Sequence, residues 1–207
     1  MAKGTKTDNH NPAGKLALRR YFLERYHRDG SATVFDCCQG GGIMWKELRK
    51  NIKVASYWGV DLKPKKGRLS IDSVRILEQG ISQNVIDVDS YGSPWKHWRE
   101  ILPRLQGPTT VFLTIGSTMH RGATDDAVLE MLGCKFKNNS IPASFRRRLD
   151  DIGINAALCW GESYATLHEV VEAISDGNAR YIGVHLRPKK EASSCELLAK
   201  TSSAERS

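Results

Sequence analysis

The stretch Thr33-Val34-Phe35-Asp36-Cys37-Cys38-Gln39-Gly40-Gly41-Gly42 constrains this chain more than any other. A short β-branched and aromatic run delivers an acid, then three glycines in a row, and a helical pattern begins near Ile43. Consecutive glycines at the end of a strand let backbone approach a ligand where any Cβ would collide. The next apolar run closes on Val60-Asp61, about twenty residues further on. A carboxylate there can accept hydrogen bonds from two ribose hydroxyls. The third glycine of the G-x-G-x-x-G dinucleotide fingerprint is missing, because position 45 is Trp. A plain tight turn between strand and helix is the alternative to a ligand turn.

The remaining pattern alternates between the two periods. Strands are predicted at 33–37, 56–61, 68–72, 84–88, 109–115, 154–160 and 180–186, the third being the weakest. A helix is predicted over about 13–28, where Leu18, Tyr21, Phe22 and Tyr26 share one face and basic residues occupy much of the rest. Further helical stripes are Trp95, Trp98, Leu102 and Leu105; Val128, Met131 and Leu132; Phe145, Leu149 and Ile152; and Tyr164, Leu167, Val171 and Ile174. Strands alternating with helices imply an α/β fold with a mainly parallel sheet covered on both faces. At 207 residues there is room for one domain. We expect a flexible basic arm at 1–12, one domain over 13–188 and a disordered tail at 189–207.

At the strand ends the chain resembles the class I S-adenosylmethionine-dependent methyltransferases. Asp36, Gly40 and Gly42 match their first motif, Asp61 their second, and Asp72 is the candidate for the polar residue near the adenine. The resemblance covers about residues 31–187. It implies a Rossmann-like, doubly wound sheet of seven strands, with the strand at 180–186 antiparallel and inserted between the fifth and sixth. It also implies S-adenosylmethionine as cofactor.

The second informative stretch is Asn84-Val85-Ile86-Asp87-Val88-Asp89-Ser90-Tyr91-Gly92-Ser93-Pro94. An apolar strand here ends in an acid, an aromatic residue, Gly and Pro. Ligands of open α/β sheets bind beyond such carboxyl ends. The segment resembles the fourth motif of nucleic-acid amino-methyltransferases, and more closely the Asp-Pro-Phe/Tyr-Gly-Ser-Pro loop of tRNA guanine-N2 dimethyltransferases. Ser90 stands where both usually have Pro. The resemblance implies that Asp89 holds an exocyclic amine, the Ser90 carbonyl takes its other hydrogen, and Tyr91 stacks on the base. An Asx-type turn with a buried Tyr is the alternative.

Lys and Arg number 31 against 23 Asp and Glu, a formal charge of +8. Residues 63–68, 146–148 and 187–190 are basic, as are Lys15, Arg19, Arg20, Arg25 and Arg28 of the predicted first helix. Each cluster reads either as a phosphate contact or as a solvated surface. Together they favour an RNA or DNA partner reached through the arm and loops, with a protein partner or a second copy supplying any further specificity. A small-molecule methyltransferase, capped by the N-terminal helix, and an inactive S-adenosylmethionine-binding interaction module are the alternatives. Five Cys at irregular spacings give no zinc or disulfide framework, and no apolar run reaches the length of a membrane span. The expected location is the cytoplasm. Trp95 and Trp98 are expected in the core; Ser117, Met119 and His120 follow the fifth predicted strand and are expected at the pocket, an exposed loop position being the preferred reading for His120.

Overall fold

The computed structural model describes residues 12–63, 69–90, 92–116, 119–120, 123–134, 148–174 and 179–189. The expected arm and tail therefore lie almost wholly outside the described residues, as do Tyr91 and most of the basic loops. Six strands form the main sheet: β1 (Thr33–Asp36), β2 (Ser56–Gly59), β3 (Val85–Val88), β4 (Thr109–Ile115), β7 (Ala165–Ile174) and β8 (Arg180–Pro188). A two-stranded ribbon, β5 (Met119–His120) and β6 (Ala123–Thr124), lies apart from it. The helices are α1 (Pro12–Tyr26), α2 (Ile43–Leu48), α3 (Ser73–Gln79), α4 (Trp95–Ile101), α5 (Asp126–Met131) and α6 (Leu149–Tyr164), with a short 3-10 turn at Leu102–Arg104.

The sheet order is β2-β1-β3-β4-β8-β7. The first four strands are parallel, and β8 runs antiparallel to both β4 and β7. The antiparallel strand expected at 180–186 is thus present and stands between its two neighbours. Strand order reverses at the β1–β3 pair, and ligands of open α/β sheets bind at the carboxyl ends of such a pair.

Alternation along the strands divides the interior into two layers. Phe35, Ile86, Val111, Leu113 and Val184 face one side, where Trp95 and Trp98 of α4, Val128 of α5 and Ile154 of α6 cover them. Val34, Val85, Phe112 and Tyr181 face the other, under Leu18, Phe22 and Leu23 of α1 and Trp45 and Leu48 of α2. Trp95 and Trp98 are core residues, as expected, and the Trp98 indole donates to the Ala157 carbonyl at 2.8 Å.

Three expectations are corrected. The sheet has six strands, because 68–72 forms no ladder among its described residues. Asp72 already caps α3, which leaves too little chain to pair. Leu69 is 81% exposed, and the Ile71 N–H to the Asp61 carbonyl, at 3.0 Å, is the bond that joins this segment to the end of β2. The run at 154–160 belongs to α6, whose buried residues Leu149, Gly153, Ile154, Ala157 and Gly161 follow a helical period. Of the stripe from Tyr164 to Ile174, Tyr164 ends α6 and the rest is strand β7, which pairs antiparallel with β8.

Candidate functional site

The carboxyl end of β1 turns sharply. The Cys37 amide donates to the Asp87 carbonyl at 2.8 Å and the Gln39 amide to the Val60 carbonyl at 2.8 Å, so the turn is tied to both neighbouring strands. Gly40 and Gly42 lie at φ +50° and +68°, a region that favours glycine. A Cβ on Gly40 would meet nothing nearer than 4.0 Å, so this part of the turn faces open space. Asp61 joins the end of β2 to the turn. One of its oxygens accepts the Gly40 amide at 2.7 Å and the other the Lys63 amide at 2.7 Å. Among the described residues each oxygen keeps a further acceptor position. The spacing of about twenty residues seen in the sequence thus becomes a direct hydrogen bond.

Asp36 is buried on the α1–α2 side. It accepts the Tyr57 hydroxyl at 2.8 Å and the Cys38 amide at 3.2 Å. Burial first, and the charge of Asp87 second, push its carboxyl up to about 7. Asp36 and Asp87 are register partners across β1 and β3.

Asp87 is the centre of a buried ionic group. Its oxygens accept Arg19 Nε at 2.7 Å, a terminal Arg19 nitrogen at 2.6 Å and the Trp45 indole N–H at 2.7 Å. A two-point guanidinium–carboxylate contact is the strong form of this pair. Asp89, two residues along the same side, accepts Lys15 Nζ at 2.5 Å. Burial raises the Asp89 carboxyl, but the charges of Arg19 and Lys15 outweigh it and bring it below the ordinary value. Lys15 also lies 5.0 Å above the Tyr181 ring, and Arg19 5.3 Å from that of Phe112. Beside Asp89, the Ser90 hydroxyl is buried with no hydrogen-bond partner among the described residues.

Asp36, Gly40, Gly42, Asp61, Asp89 and Ser90 therefore gather at the carboxyl ends of β1, β2 and β3. Asp72 plays a different local part. It accepts the Val74 amide at 3.0 Å and so caps α3, and it lines a groove of about 880 Å³ with Trp58, Leu62, Ile71 and Arg75. Trp58 packs on Phe35 at 4.8 Å and is left 42% exposed because β2 is an edge strand.

Sequence reasoning missed Lys15, Arg19 and Asp87. Lys15 and Arg19 count there as surface charges of the first helix, yet they are 3% and 1% exposed and bound to carboxylates. The signal was present. Positions 15, 18, 19, 22 and 23 form one helical stripe, so both bases stand on the apolar face.

No protein-family model matches the chain, and no curated protein does. Solved structures are similar in fold. The complex of Trm1 from Pyrococcus horikoshii with S-adenosyl-L-methionine has a TM-score of 0.56 at 15% identity, covering 86% of this chain and 56% of that one. A putative hemolysin from Lactococcus lactis has a TM-score of 0.51 at 14% identity, covering 89% of this chain and 91% of that one. Another from Streptococcus thermophilus has a TM-score of 0.50 at 12% identity, covering 91% and 70%. The chain spans little more than half the length of the Trm1 structure. At these identities the likeness is one of fold: an open, Rossmann-like α/β sheet shared with a protein solved with S-adenosyl-L-methionine.

Proposed function

We propose that this protein is an S-adenosylmethionine-dependent methyltransferase acting on an exocyclic amine of a base in RNA or DNA. The observation that carries the reading is the bond from the Gly40 amide to Asp61, which joins the glycine turn after β1 to the acid after β2 where the turn faces open space. The residues fit such a cofactor. Asp61 has acceptor positions left for ribose hydroxyls, and the backbone at Gly40 leaves room for a ligand. The buried carboxyl of Asp36 suits a cationic group met through water. The groove along Trp58, Leu62 and Asp72 has the volume of a cofactor site. When bound, S-adenosylmethionine supplies an electrophilic sulfonium methyl: the carbon–sulfur bond breaks, its electron pair staying on sulfur, as the bond to the acceptor forms.

The chain's own residues would hold the acceptor. Asp89 is kept ionised by Arg19 and Lys15, so it accepts hydrogen bonds and donates none. That suits the N–H of an amine whose lone pair must point at the methyl. The Ser90 carbonyl takes the second hydrogen and Tyr91 stacks on the base, as the resemblance implies. Positioning and exclusion of water supply most of the rate in such a transfer.

A second reading, a small-molecule acceptor, is favoured by one observation. Helix α1 closes over the acceptor end through the Lys15–Asp89 contact, as a capped pocket requires. One experiment separates the two. Methyl-labelled S-adenosylmethionine is incubated with the protein and with RNA, DNA or a pool of small amines, and each fraction is counted. Label in RNA or DNA that declines with added salt is expected. Label confined to the small amines overturns the nucleic-acid acceptor. A melting temperature unmoved by S-adenosylmethionine overturns the cofactor.

A further inference from the structure

Every carboxylate at the acceptor end that carries a base does so through α1. Arg19 neutralises Asp87 and Lys15 neutralises Asp89, and both bases are almost fully buried. Among the described residues the Cys38 thiol also feels the charge of Asp89, and burial raises it so that it stays neutral. The two acids of β3 at this end are therefore each offset by a buried base.

This matters for an amine acceptor. The nitrogen lone pair must be free to form the new N–C bond, and after transfer the nitrogen sheds its extra proton to water. An alkylamine has a pKa near that of lysine, about 10.4, so about one molecule in a few thousand is uncharged at pH 7. To use it, an enzyme must attract the ammonium and take its proton before transfer. A carboxylate already bound to Lys15 at 2.5 Å does neither well. An amino group conjugated to a heteroaromatic ring is unprotonated at pH 7 and needs neither service.

We propose that Lys15 is a specificity-determining residue: by occupying Asp89 it restricts the acceptor to amines that are uncharged at neutral pH, the nucleobase amino group being the type, and turns away alkylammonium ions. The proposal rests on the reading of Asp89 as the acceptor-binding carboxylate.

The test uses the full chain, wild type and Lys15→Met. Labelled transfer is measured from pH 6 to 9 onto total RNA, free guanosine and adenosine, and onto phenethylamine and putrescine. Binding of phenethylamine and putrescine is measured separately by calorimetry, without cofactor. Wild type is expected to label RNA or the nucleosides, with a flat pH profile, and to leave the alkylamines unlabelled and unbound at pH 7. Lys15→Met is expected to bind the alkylammonium ions at least about tenfold more tightly, since an opposite charge within a few ångström is worth that much or more. RNA against free nucleosides tells which source of the neutral amine is used.

Alkylamine labelling by wild type at pH 7 comparable to that of RNA overturns the proposal. So does wild-type binding of alkylammonium as tight as that of the variant. The wild-type arms decide the matter even if Lys15→Met does not fold. Absence of transfer to any acceptor, with wild-type alkylammonium binding also absent, counts against the methyltransferase reading and leaves the charge screening by Lys15 supported.

Discussion

Asp87 has more riding on it than any other single side chain at the strand ends. It is 1% exposed and holds Arg19 and the Trp45 indole, so it joins β3 to both helices of that face. Removing one partner of a buried pair leaves the other charged, unsatisfied and out of water. Asp87→Ala is therefore expected to cost about 3–5 kcal/mol of unfolding free energy, measured by denaturant titration; a loss under about 1 kcal/mol, of the surface-pair kind, would show that Arg19 finds another partner. Its neighbour Asp36 makes a prediction about pH. An unfolded aspartate titrates near 3.9, whereas burial and Asp87 push the folded group up to about 7. Between those values the folded protein holds a proton that the unfolded chain has lost, so this group lowers stability as pH rises from about 4 to about 7 and adds no slope above that. His185, driven down to about 4 by burial and by His27, works the other way: its contribution is full above about 6.5 and is lost as pH falls toward 4. The two slopes oppose each other in wild type. Asp36→Asn is expected to remove the first, so that stability climbs with pH between 4.5 and 7 more steeply than in wild type. Parallel curves for the two proteins would sink the assignment. Asp36, Gly40, Gly42 and Asp61 could be placed together from sequence because chain position at strand ends fixes where they sit. The buried stripe that carries Arg19 could be read, but its pairing with Asp87 could not, because the two lie 68 residues apart in sequence.

At the scale of elements, the strands of the parallel half were readable because each is a short apolar run bounded by polar or glycine residues. The region 149–174 was not. Leu167 and Val171 are four apart, and a spacing of four fits both a helix of period 3.6 and a strand of period two. What distinguishes β7 is the alternation of exposed Thr166, His168, Val170 and Glu172 with more buried neighbours, which is visible once the partner strand is known. In α6, Gly153, Ala156 and Ala157 make a narrow buried face, and Gly161 lets the Trp98 ring approach: a Cβ there would stand 2.9 Å from it. The docking of α1 on β8 uses the same device. A Cβ at Gly183 would lie 2.4 Å from the ring of Phe22, which is wholly buried. Gly183→Ala is expected to lose about 1–3 kcal/mol through overpacking, read as a lower denaturant midpoint. Adding Phe22→Leu should return part of that loss. A Gly183→Ala protein as stable as wild type would mean that α1 sits further from the sheet.

For the molecule as a whole, helix α1 decides whether the N-terminal segment is a lid or part of the core. Its buried residues are Lys15, Leu18, Arg19, Phe22 and Leu23, and they cover Phe112 and Tyr181 while neutralising Asp87 and Asp89. Each of these bases is offset by an acid, so the pairs leave the formal balance at +8 and a polyanionic partner remains electrostatically reasonable. Deleting residues 1–27 would uncover an apolar face and leave two carboxylates at the strand ends without their bases, one of them fully buried. Both effects act in the same direction, and each alone is comparable with the ~5–15 kcal/mol that holds a typical domain folded. The expected result is a protein without a cooperative thermal transition, retaining far-ultraviolet dichroism but losing the near-ultraviolet signal of its packed tryptophans, the signature of secondary structure without fixed packing. A sharp melt within a few degrees of wild type would instead make α1 a detachable cap, open Asp89 to solvent, and move the weight of the functional reading toward an acceptor site that opens and closes.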